Sequence, residues 1–363
     1  MPGLRGRTAV PVLLLHNVDP AWEPPDQEEA RRLAAEVLAG LEDQGHRVAV
    51  VEIADANLRS RLRPYPPREW VVFNACESLP GVDHSEVRVA QELTTLGYAF
   101  TGSPPDALAR SWDKPLVKRL LARQGVLTPE ALLCPPGDAH AWSTFPAIVK
   151  PAYEHSSAGV TRDAVVLNPE ELRARIGYVM STFLQPALVE DMIDGREFHV
   201  TVWGAEQLRM LPVAEMDFQA FSDVRDRLCT YESKFDPASR AYQGIGLLLP
   251  APLTPSEVIA LRKVAVAAYR TVGCRDYARL DIRLREGRFY VLDVNPNPDI
   301  SSDASVAASA EQAGYSYGAF VSQIVRLAAS RHPGFAHALG AVEPRARIGP
   351  APARLSLEPK LHT

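Results

Sequence analysis

Residues 277–297 alternate between apolar and polar side chains, and this pattern constrains the chain more than any other stretch. Most even-numbered positions are apolar, whereas most odd-numbered positions carry Arg, Asp or Asn, with Phe289 and Val291 as exceptions. A period of two on both sides of Glu286-Gly287-Arg288 predicts a β-hairpin that turns at these three residues. One face of this hairpin is expected to pack on the core.

The apolar residues of both arms share that face only if the strands pair in a suitable register. The register that fits the predicted turn pairs Leu280 with Val294 and Ile282 with Leu292. We therefore expect these four side chains to face the core together.

The same register places two carboxylates opposite each other. Asp281 faces Asp293, and Arg279 faces Asn295. Directly opposed side chains lie ~5 Å apart at Cβ, where like charges destabilise a strand pair. The carboxylates and the amide therefore need a cation, and oxygen ligands favour Mg²⁺ or Mn²⁺ over zinc. The alternative is that both carboxylates are solvated, or are paired with Arg279 and Arg283.

Strands and amphipathic helices alternate in the amino-terminal part of the chain. Strands are predicted at 12–15, 47–53 and 70–74, with a helix from about residue 28 that ends at Gly45. This order predicts an α/β fold with a parallel sheet and helices on its faces. Further predicted elements are a helix at 114–123, strands at 147–150, 188–190 and 197–203, a long loop to 249, and a helix at 255–272.

Composition and charge exclude several classes of protein. Lys and Arg total 39 against 44 Asp and Glu, a net charge of −5 with no basic half, so a nucleic-acid surface has little support. No run approaches the ~18 apolar residues of a membrane span, and the short apolar run at 10–15 is typical of a first strand. We expect a soluble cytoplasmic protein without a nucleic-acid or membrane partner.

The cysteines are too widely spaced to indicate a shared site. No CxxC motif or Cys/His cluster occurs, so neither a zinc site nor a disulfide framework is predicted. We expect four buried thiols in a reduced compartment: Cys76, Cys134, Cys229 and Cys274.

The hairpin also carries a family resemblance. Arg279-Leu280-Asp281-Ile282 and Asp293-Val294-Asn295-Pro296-Asn297-Pro298 resemble the magnesium-binding end of ATP-grasp ligases, in particular the D-alanine–D-alanine ligase family. Five further segments resemble that family in the same order along the chain: Trp112-Asp113-Lys114, Pro146-Ala147-Ile148-Val149-Lys150-Pro151 with the loop to Val160, Val189-Glu190-Asp191-Met192-Ile193, Gly195-Arg196-Glu197-Phe198, and Tyr231-Glu232-Ser233-Lys234-Phe235.

The resemblance implies a role for each matched residue. Lys114 and Lys150 would contact ATP phosphates, and Glu197 the ribose, unless Lys114 and Glu197 are ordinary surface residues. A phosphate-covering loop would include Ser156 and Ser157, and an adenine hinge would consist of Glu190, Asp191, Met192 and Ile193, with Glu190 accepting from the adenine amino group. Arg279, Lys234 and Ser156 would be catalytic, and one or two Mg²⁺ ions would bind Asp281, Asp293 and Asn295.

The resemblance also implies an architecture with nucleotide bound between two sheets. The expected units are an amino-terminal Rossmann-like domain at 1–109, a small ATP-grasp subdomain at 110–186, a large one at 187–330, and a mostly disordered tail at 331–363. The family also implies a homodimer.

Departures from the family concern the substrate more than the nucleotide. Asp293 stands where the family usually has a bridging glutamate, and His155 stands where it has a glycine of the phosphate loop. The amino-terminal substrate signature is absent, Ala75-Cys76-Glu77-Ser78 replaces a His-Gly, and Asp299 replaces the glycine of a Pro-Gly pair. The residues expected to recognise D-alanine are therefore missing, although the ATP machinery is retained.

These observations predict an ATP-dependent carboxylate–amine ligase that works through an acyl phosphate. Asp299 would oppose a D-alanine carboxylate, since two unit charges ~4 Å apart at an effective dielectric of ~20 repel by about 4 kcal/mol. Alternatively, Asp299 points away and caps the following helix. The competing functions are a true D-alanine–D-alanine ligase, a small-molecule phosphotransferase, and an ATP-binding module without catalysis.

Overall fold

The strands form three sheets in a computed structural model that describes residues 9–135, 142–155, 157–230, 232–235, 238–336 and 353–355. The first sheet is parallel, with strand order β2-β1-β3-β4. Its strands are β1 (Pro11–Asn17), β2 (Arg47–Ile53), β3 (Val71–Ala75) and β4 (Ala99–Phe100). Leu13 and Leu15 pack on one face, and Val12 and Leu14 on the other. The predicted parallel sheet is confirmed.

The second sheet is small, and all its pairings are antiparallel. It has the order β5-β8-β6-β7, and Ala147 and Val149 of its centre are buried with Val179. Its strands are β5 (Ala131–Cys134), β6 (Ala147–Pro151), β7 (Val165–Val166) and β8 (Ala187–Asp191). Strand β8 therefore pairs within the small sheet, although the boundary expected at 186 assigned it to the large subdomain.

The third sheet is seven-stranded among the described residues and carries the predicted hairpin. Its order is β14-β13-β9-β11-β12-β15, with β10 paired to β9. The strands are β9 (Arg196–Gly204), β10 (Arg209–Met210), β11 (Ala214–Asp217), β12 (Gly246–Leu249), β13 (Asp276–Arg285), β14 (Arg288–Asn295) and β15 (Ala353–Leu355). Three strands thus lie in segments expected to be a long loop (β10, β11) or a disordered tail (β15), and β12 lies at the end of that loop.

The predicted hairpin register is confirmed next to the candidate metal ligands and wrong beyond them. Leu280 pairs with Val294 and Asp281 with Asp293, but a bulge follows Asp281, so that Ile282 pairs with Val291 instead of Leu292. An extra residue in one strand reverses the facing of the residues after it. This reversal explains why Phe289 and Val291 are buried although they lie at odd-numbered positions.

Alternation along β9, β13 and β14 separates the two faces of the large sheet. The apolar residues of the core face pack against the helices at 114–123 and 255–272, which both precede the hairpin in sequence. The sheet contributes Phe198, Val200, Leu280, Ile282 and Val294, and the helices contribute Leu121, Leu261 and Ala265. The opposite face is left for the polar residues of the same strands, as a period of two requires.

The three predicted helices lie within a few residues of their expected bounds, as the first, fifth and ninth helices of the described residues, whereas the seventh and eighth lie in the segment expected to be a long loop. Helices α1 to α6 are Pro24–Asp43, Leu58–Leu62, Glu86–Thr95, Pro105–Trp112, Lys114–Arg123 and Pro169–Phe183; α7 to α11 are Glu232–Phe235, Arg240–Gly244, Pro255–Val272, Ser305–Gln312 and Tyr317–Ala329. The capping box that Thr254 and Glu257 form at the start of α9 is confirmed. Within the described ranges, no helix is long and apolar enough to cross a membrane.

Local chemistry places Lys114 at the first position of α5. The Asp113 side chain accepts a hydrogen bond from the Leu116 backbone at 2.8 Å, and Pro115 occupies the second helical position. Such a cap satisfies an amide at the helix start and fixes where the helix begins. Lys114 therefore projects from a defined point.

One finding corrects another expectation. Cys229 and Cys274 are half-buried, so that only Cys76 and Cys134 match the prediction of buried thiols.

Helices α10 and α11 contribute Val306 and Phe320 to a core that both the first sheet and the large sheet share, the large sheet through Trp203 and Tyr277.

The hairpin turn contains two residues in the left-handed region, Glu286 (φ 53°) and Gly287 (φ 73°). The predicted turn at 286–288 is therefore one residue too long, since Arg285 pairs with Arg288. Because asparagine tolerates this conformation better than glutamate, we expect Glu286→Asn to raise the free energy of unfolding by about 0.5–1 kcal/mol. Urea unfolding measures the change, and Glu286→Gln is the matched control that should leave stability unchanged. Lower stability in Glu286→Asn would contradict the turn geometry.

Candidate active site

Two rows of polar residues cross the large sheet on its open face. Strand pairing places Asp293, Asp281 and His199 side by side on β14, β13 and β9. The next row contains Asn295, Arg279 and Thr201. Opposed residues on neighbouring strands lie ~5 Å apart at Cβ, so these side chains form one contiguous polar surface.

Cations hold the two facing carboxylates. Arg279 donates to Asp281 through Nε at 2.8 Å and Nη2 at 3.1 Å, and Asn295 Nδ2 donates to the same carboxylate at 3.2 Å. Lys114 Nζ lies 2.9 Å from Asp293 Oδ2. The alternative that the carboxylates pair with arginines is therefore correct for Arg279, which pairs with Asp281. It is wrong for Arg283, which pairs with Glu197 instead.

Electrostatics keeps both carboxylates ionised. Burial raises the pKa of Asp281, but the charges of Arg279 and His199 outweigh burial and hold it below its usual value. Burial likewise raises the pKa of Asp293, and Lys114 and Lys150 contribute to the charges that bring it below the usual range. Ionised carboxylate and amide oxygens on one face are the donors that Mg²⁺ prefers, so Asp281, Asp293 and Asn295 fit a hard divalent cation.

The buried carboxylate of Glu190 forms ion pairs with two lysines, Lys118 and Lys150. Glu190 lies 2.8 Å from Lys118 Nζ and 2.7 Å from Lys150 Nζ, and its side chain is 3% exposed. Burial raises the pKa of Glu190, but the two lysines lower it further and leave it below the usual value. The structure therefore shows Glu190 positioning two lysines, whereas its implied contact with adenine stays a prediction.

The connection from β8 to β9 joins the small sheet to the large one. Asp191 pairs with Arg285 at 2.6 Å, and Arg283 donates to the Ile193 carbonyl at 2.8 Å. Met192 and Ile193 are buried. This segment, which the resemblance implies is an adenine hinge, is thus anchored to strand β13 by two arginines.

Glu197 forms a buried ion pair. Its Oε2 accepts from Arg283 Nε at 2.7 Å, and the two side chains are 6% and 2% exposed. The Lys114 side chain is also mostly buried, at 11% exposed. The alternative that Lys114 and Glu197 are ordinary surface residues is therefore wrong.

The loop after β6, which the resemblance implies covers the ATP phosphates, packs against the helix that precedes Lys114. His155 contacts Trp112 edge-on, with ring centroids 4.2 Å apart, and burial lowers its pKa to about 4. Gly159 has a φ of +69°, and a Cβ there would lie 2.9 Å from Phe183. Ser157 Oγ donates to the Cys229 carbonyl at 3.1 Å.

The structure does not describe the side chains of two residues that the resemblance implies are catalytic. Ser156 lies outside the described residues, and for Lys234 only the backbone is described, in the short helix α7. Their roles stay predictions.

Three further carboxylates, of Glu77, Glu86 and Asp299, form an acidic region. Glu77 is open to solvent, yet surrounding protein raises its pKa, and Asp299 adds a like charge. Burial raises the pKa of Glu86 to about 7, although Trp112 Nε1 donates to it at 2.7 Å. Asp299 accepts hydrogen bonds from Ser301 at 2.9 Å and 2.7 Å.

Asp299 does not cap the following helix. That helix, α10, begins at Ser305 and has Ala304 at its cap position. The charge of Asp299 acts on both Arg279 and Glu77. The alternative that Asp299 merely caps a helix is therefore wrong.

Sequence reasoning missed four residues of this surface: Lys118, His199, Arg283 (as the partner of Glu197) and Glu86. Two of them had a usable signal. Lys118 follows Lys114 by one helical turn, and His199 follows Glu197 by two strand positions, so each pair shares a face. No comparable signal marks Glu86.

Comparisons with known proteins agree with this geometry. A family model described as the D-ala D-ala ligase C-terminus matches residues 136–326. An uncharacterized protein, y4sG, of Sinorhizobium fredii is 31% identical over 87% of this chain and 93% of its own length. The D-alanine–D-alanine ligase of Alcanivorax borkumensis is 31% identical over 83% of this chain and 89% of its own.

The fold agrees as well. The crystal structure of D-alanine–D-alanine ligase from Bacillus anthracis complexed with ATP superposes with a TM-score of 0.68 at 18% identity, covering 88% of this chain and 97% of that one. The predicted ATP-grasp fold is thereby confirmed. This chain belongs to the D-alanine–D-alanine ligase-like family of ATP-grasp proteins and is an ATP-dependent ligase that forms C–N bonds.

Proposed function

We propose that this ligase joins a carboxylate to an amine through an acyl phosphate, on amino-acid-like substrates other than two free D-alanines. The observation that carries the proposal is that Asp299 interacts electrostatically both with Arg279, which lies in the polar rows with Asp281 and Asp293, and with the acidic Glu77. The polar rows fit phosphoryl transfer, and the two acidic residues disfavour an anionic amino acid.

In this proposal the buried cations position ATP. Lys114 and Lys150 contact its phosphates, Glu197 accepts from the ribose, and the segment 190–193 borders the adenine. One or two Mg²⁺ ions, or Mn²⁺, held by Asp281, Asp293 and Asn295, would supply positive charge to the triphosphate oxygens. The ion pair between Lys114 and Asp293 shows that this carboxylate already has a cationic partner at 2.9 Å.

The proposed chemistry has two steps. A substrate carboxylate oxygen attacks the γ-phosphorus, the bond to the β–γ bridging oxygen breaks, and ADP leaves. A free amine then attacks the acyl carbon, the bond to phosphate breaks, and the proton of the amine leaves with the phosphate. Arg279 neutralises charge on the transferred phosphoryl group, a role in which Lys234 and Ser156 assist, and most of the acceleration comes from positioning and charge.

The acidic region sets the expected class of amine. Asp299 already raises the cost of ionising Glu77, so a third carboxylate beside them would be repelled further. An amine without a carboxylate at that position, or with an additional positive charge, avoids this repulsion. We infer an amine substrate of that kind.

Two further expectations rest on the family. A homodimer is implied, and light scattering of the purified chain tests it. A true D-alanine–D-alanine ligase is the second candidate, favoured by the relative from Alcanivorax borkumensis that is 31% identical. A phosphotransferase on the same fold would give a phosphorylated acceptor instead of an amide.

We expect D-alanine alone to be a poor substrate. With millimolar D-alanine, ATP and Mg²⁺, ADP release should stay at background, because Asp299 and Glu77 oppose the second carboxylate. Asp299→Gly, which restores the family residue, should increase D-alanyl-D-alanine formation measured by mass spectrometry. Efficient formation by the unaltered protein would contradict the proposed specificity.

A screen of amino acids and small carboxylates identifies the substrates. ADP release reports turnover, and mass spectrometry of each positive mixture distinguishes an amide from a phosphorylated acceptor. We expect an amide in which the amine component is neutral or cationic. A phosphorylated acceptor as the only product would assign a phosphotransferase.

Replacing Asp293 with Asn should separate catalysis from binding. Turnover is expected to fall about 10²–10³-fold, because half of the carboxylate charge available to the metal is lost. ATP affinity should fall by less than about tenfold, since Lys150 and the hinge remain. The matched control is Asp55→Asn, which alters a surface pair with Arg61. Turnover of Asp293→Asn within ~3-fold of the unaltered protein would remove Asp293 from the metal site.

A further inference from the structure

A second set of possible metal ligands lies beside the oxygen-rich face. Glu197, His199 and Cys229 each offer one ligand atom, and these atoms all lie within 4.8 Å of one another. Glu197 and His199 occupy alternate positions of β9 and therefore share a face. Cys229 comes from the segment after the short helical turn at Val224–Asp226. The thiol of Cys229, which is distant in the sequence, thus meets a carboxylate and an imidazole of one strand.

The ligand types distinguish this cluster from its neighbour. Asp281, Asp293 and Asn295 offer oxygen alone, which suits Mg²⁺, whereas thiolate, imidazole and carboxylate together suit Zn²⁺ and chemically similar ions. A tetrahedral zinc with bonds of about 2.0–2.3 Å places its ligand atoms somewhat under 4 Å apart, so the groups would need to close by roughly 1 Å. Asp281 Oδ1 lies 3.9 Å from His199 Nε2, but this carboxylate belongs to the proposed magnesium residues and is not counted as a zinc ligand.

Surrounding contacts orient the three groups. His199 Nδ1 lies 3.1 Å from Ser305 Oγ, an outer contact that directs Nε2 toward the cluster, as is usual for histidine ligands. Ser157 holds the Cys229 backbone, as described above. Arg283 engages Oε2 of Glu197, and a carboxylate has a second oxygen through which it can bind a metal.

We propose that Glu197, His199 and Cys229 form a binding site for one thiophilic divalent cation, of which Zn²⁺ is the representative. On binding, the Cys229 thiol loses its proton to solvent, and the sulfur and His199 Nε2 donate to the metal. The arginines nearby are already balanced, Arg283 by Glu197 and Arg279 by Asp281. The thiolate therefore offsets part of the metal charge. Because a proton is released, binding strengthens as pH rises.

The consequence for catalysis rests on the proposed function. Glu197 is the proposed ribose acceptor, so a metal that takes its carboxylate competes with ATP. By linkage, bound nucleotide must weaken metal binding by the same factor. Zinc would then inhibit the ligase without displacing Mg²⁺ from its own residues.

Cobalt titration of the full chain tests the site directly. In the absence of nucleotide and substrates, we expect one Co²⁺ per chain with a thiolate-to-cobalt charge-transfer band, displaced by Zn²⁺. Cys229→Ser should abolish that band and weaken Zn²⁺ binding at least tenfold, since loss of a ligand should cost at least as much as loss of an outer contact. Cys274→Ser, which alters the other half-buried thiol, should leave both unchanged.

Three further measurements keep the outcome decisive. His199→Gln should weaken Zn²⁺ binding even if Cys229→Ser does not fold, and melting temperatures of both variants report folding. Asp293→Asn should retain the thiolate band, which separates this site from the magnesium residues. The proposal is overturned if no thiolate band forms, or if the band is lost in Cys274→Ser and kept in Cys229→Ser.

The nucleotide experiment distinguishes the two proposals from each other. If the thiolate band forms and ADP with Mg²⁺ weakens cobalt binding, both the metal site and the role of Glu197 are supported. If the band forms and ADP has no effect, the metal site stands and the ribose contact of Glu197 is wrong.

Discussion

The facing of Asp281 and Asp293 across one strand pair is the constraint on which the candidate site depends. Alternation along β13 and β14 buries one face and forces both carboxylates onto the other. Two anions at that separation destabilise the pair unless cations compensate them. Arg279 and Lys114 supply the compensation, and Lys114 does so from a helix whose start is fixed by Asp113.

The polar face of the large sheet has two groups of residues suited to cations, and lysines suited to anions lie nearby. Oxygen donors collect on β13 and β14, whereas β9 adds imidazole and carboxylate beside the Cys229 thiol. Glu190 holds Lys118 and Lys150 in place through two ion pairs, and the resemblance implies that Lys150 contacts the phosphates. The negative charge of Asp299 acts on both Arg279 and Glu77. In the proposed function, phosphate, metal and amine substrate would thus lie in regions of different charge.

Sequence reasoning predicted the parts of the site that depend on strand periodicity and on contiguous motifs. The Asp281–Asp293 pairing followed from alternation, but the bulge after Asp281 did not, although Phe289 and Val291 broke the pattern and marked it. The Glu190 contacts could not be predicted, because Lys118 and Lys150 reach it from separate elements. Cys229 and His199 meet only through the packing of a loop, which leaves no spacing to recognise.

Diffraction from crystals grown with Mn²⁺ and a non-hydrolysable ATP analogue tests the central claim most directly. Anomalous scattering locates manganese without reference to the protein atoms. The account predicts manganese within bonding distance of Asp281, Asp293 and Asn295, with Lys114 moved from Asp293 to the nucleotide phosphates. Bound nucleotide with Lys114 still on Asp293, and no manganese at these three residues, would contradict it.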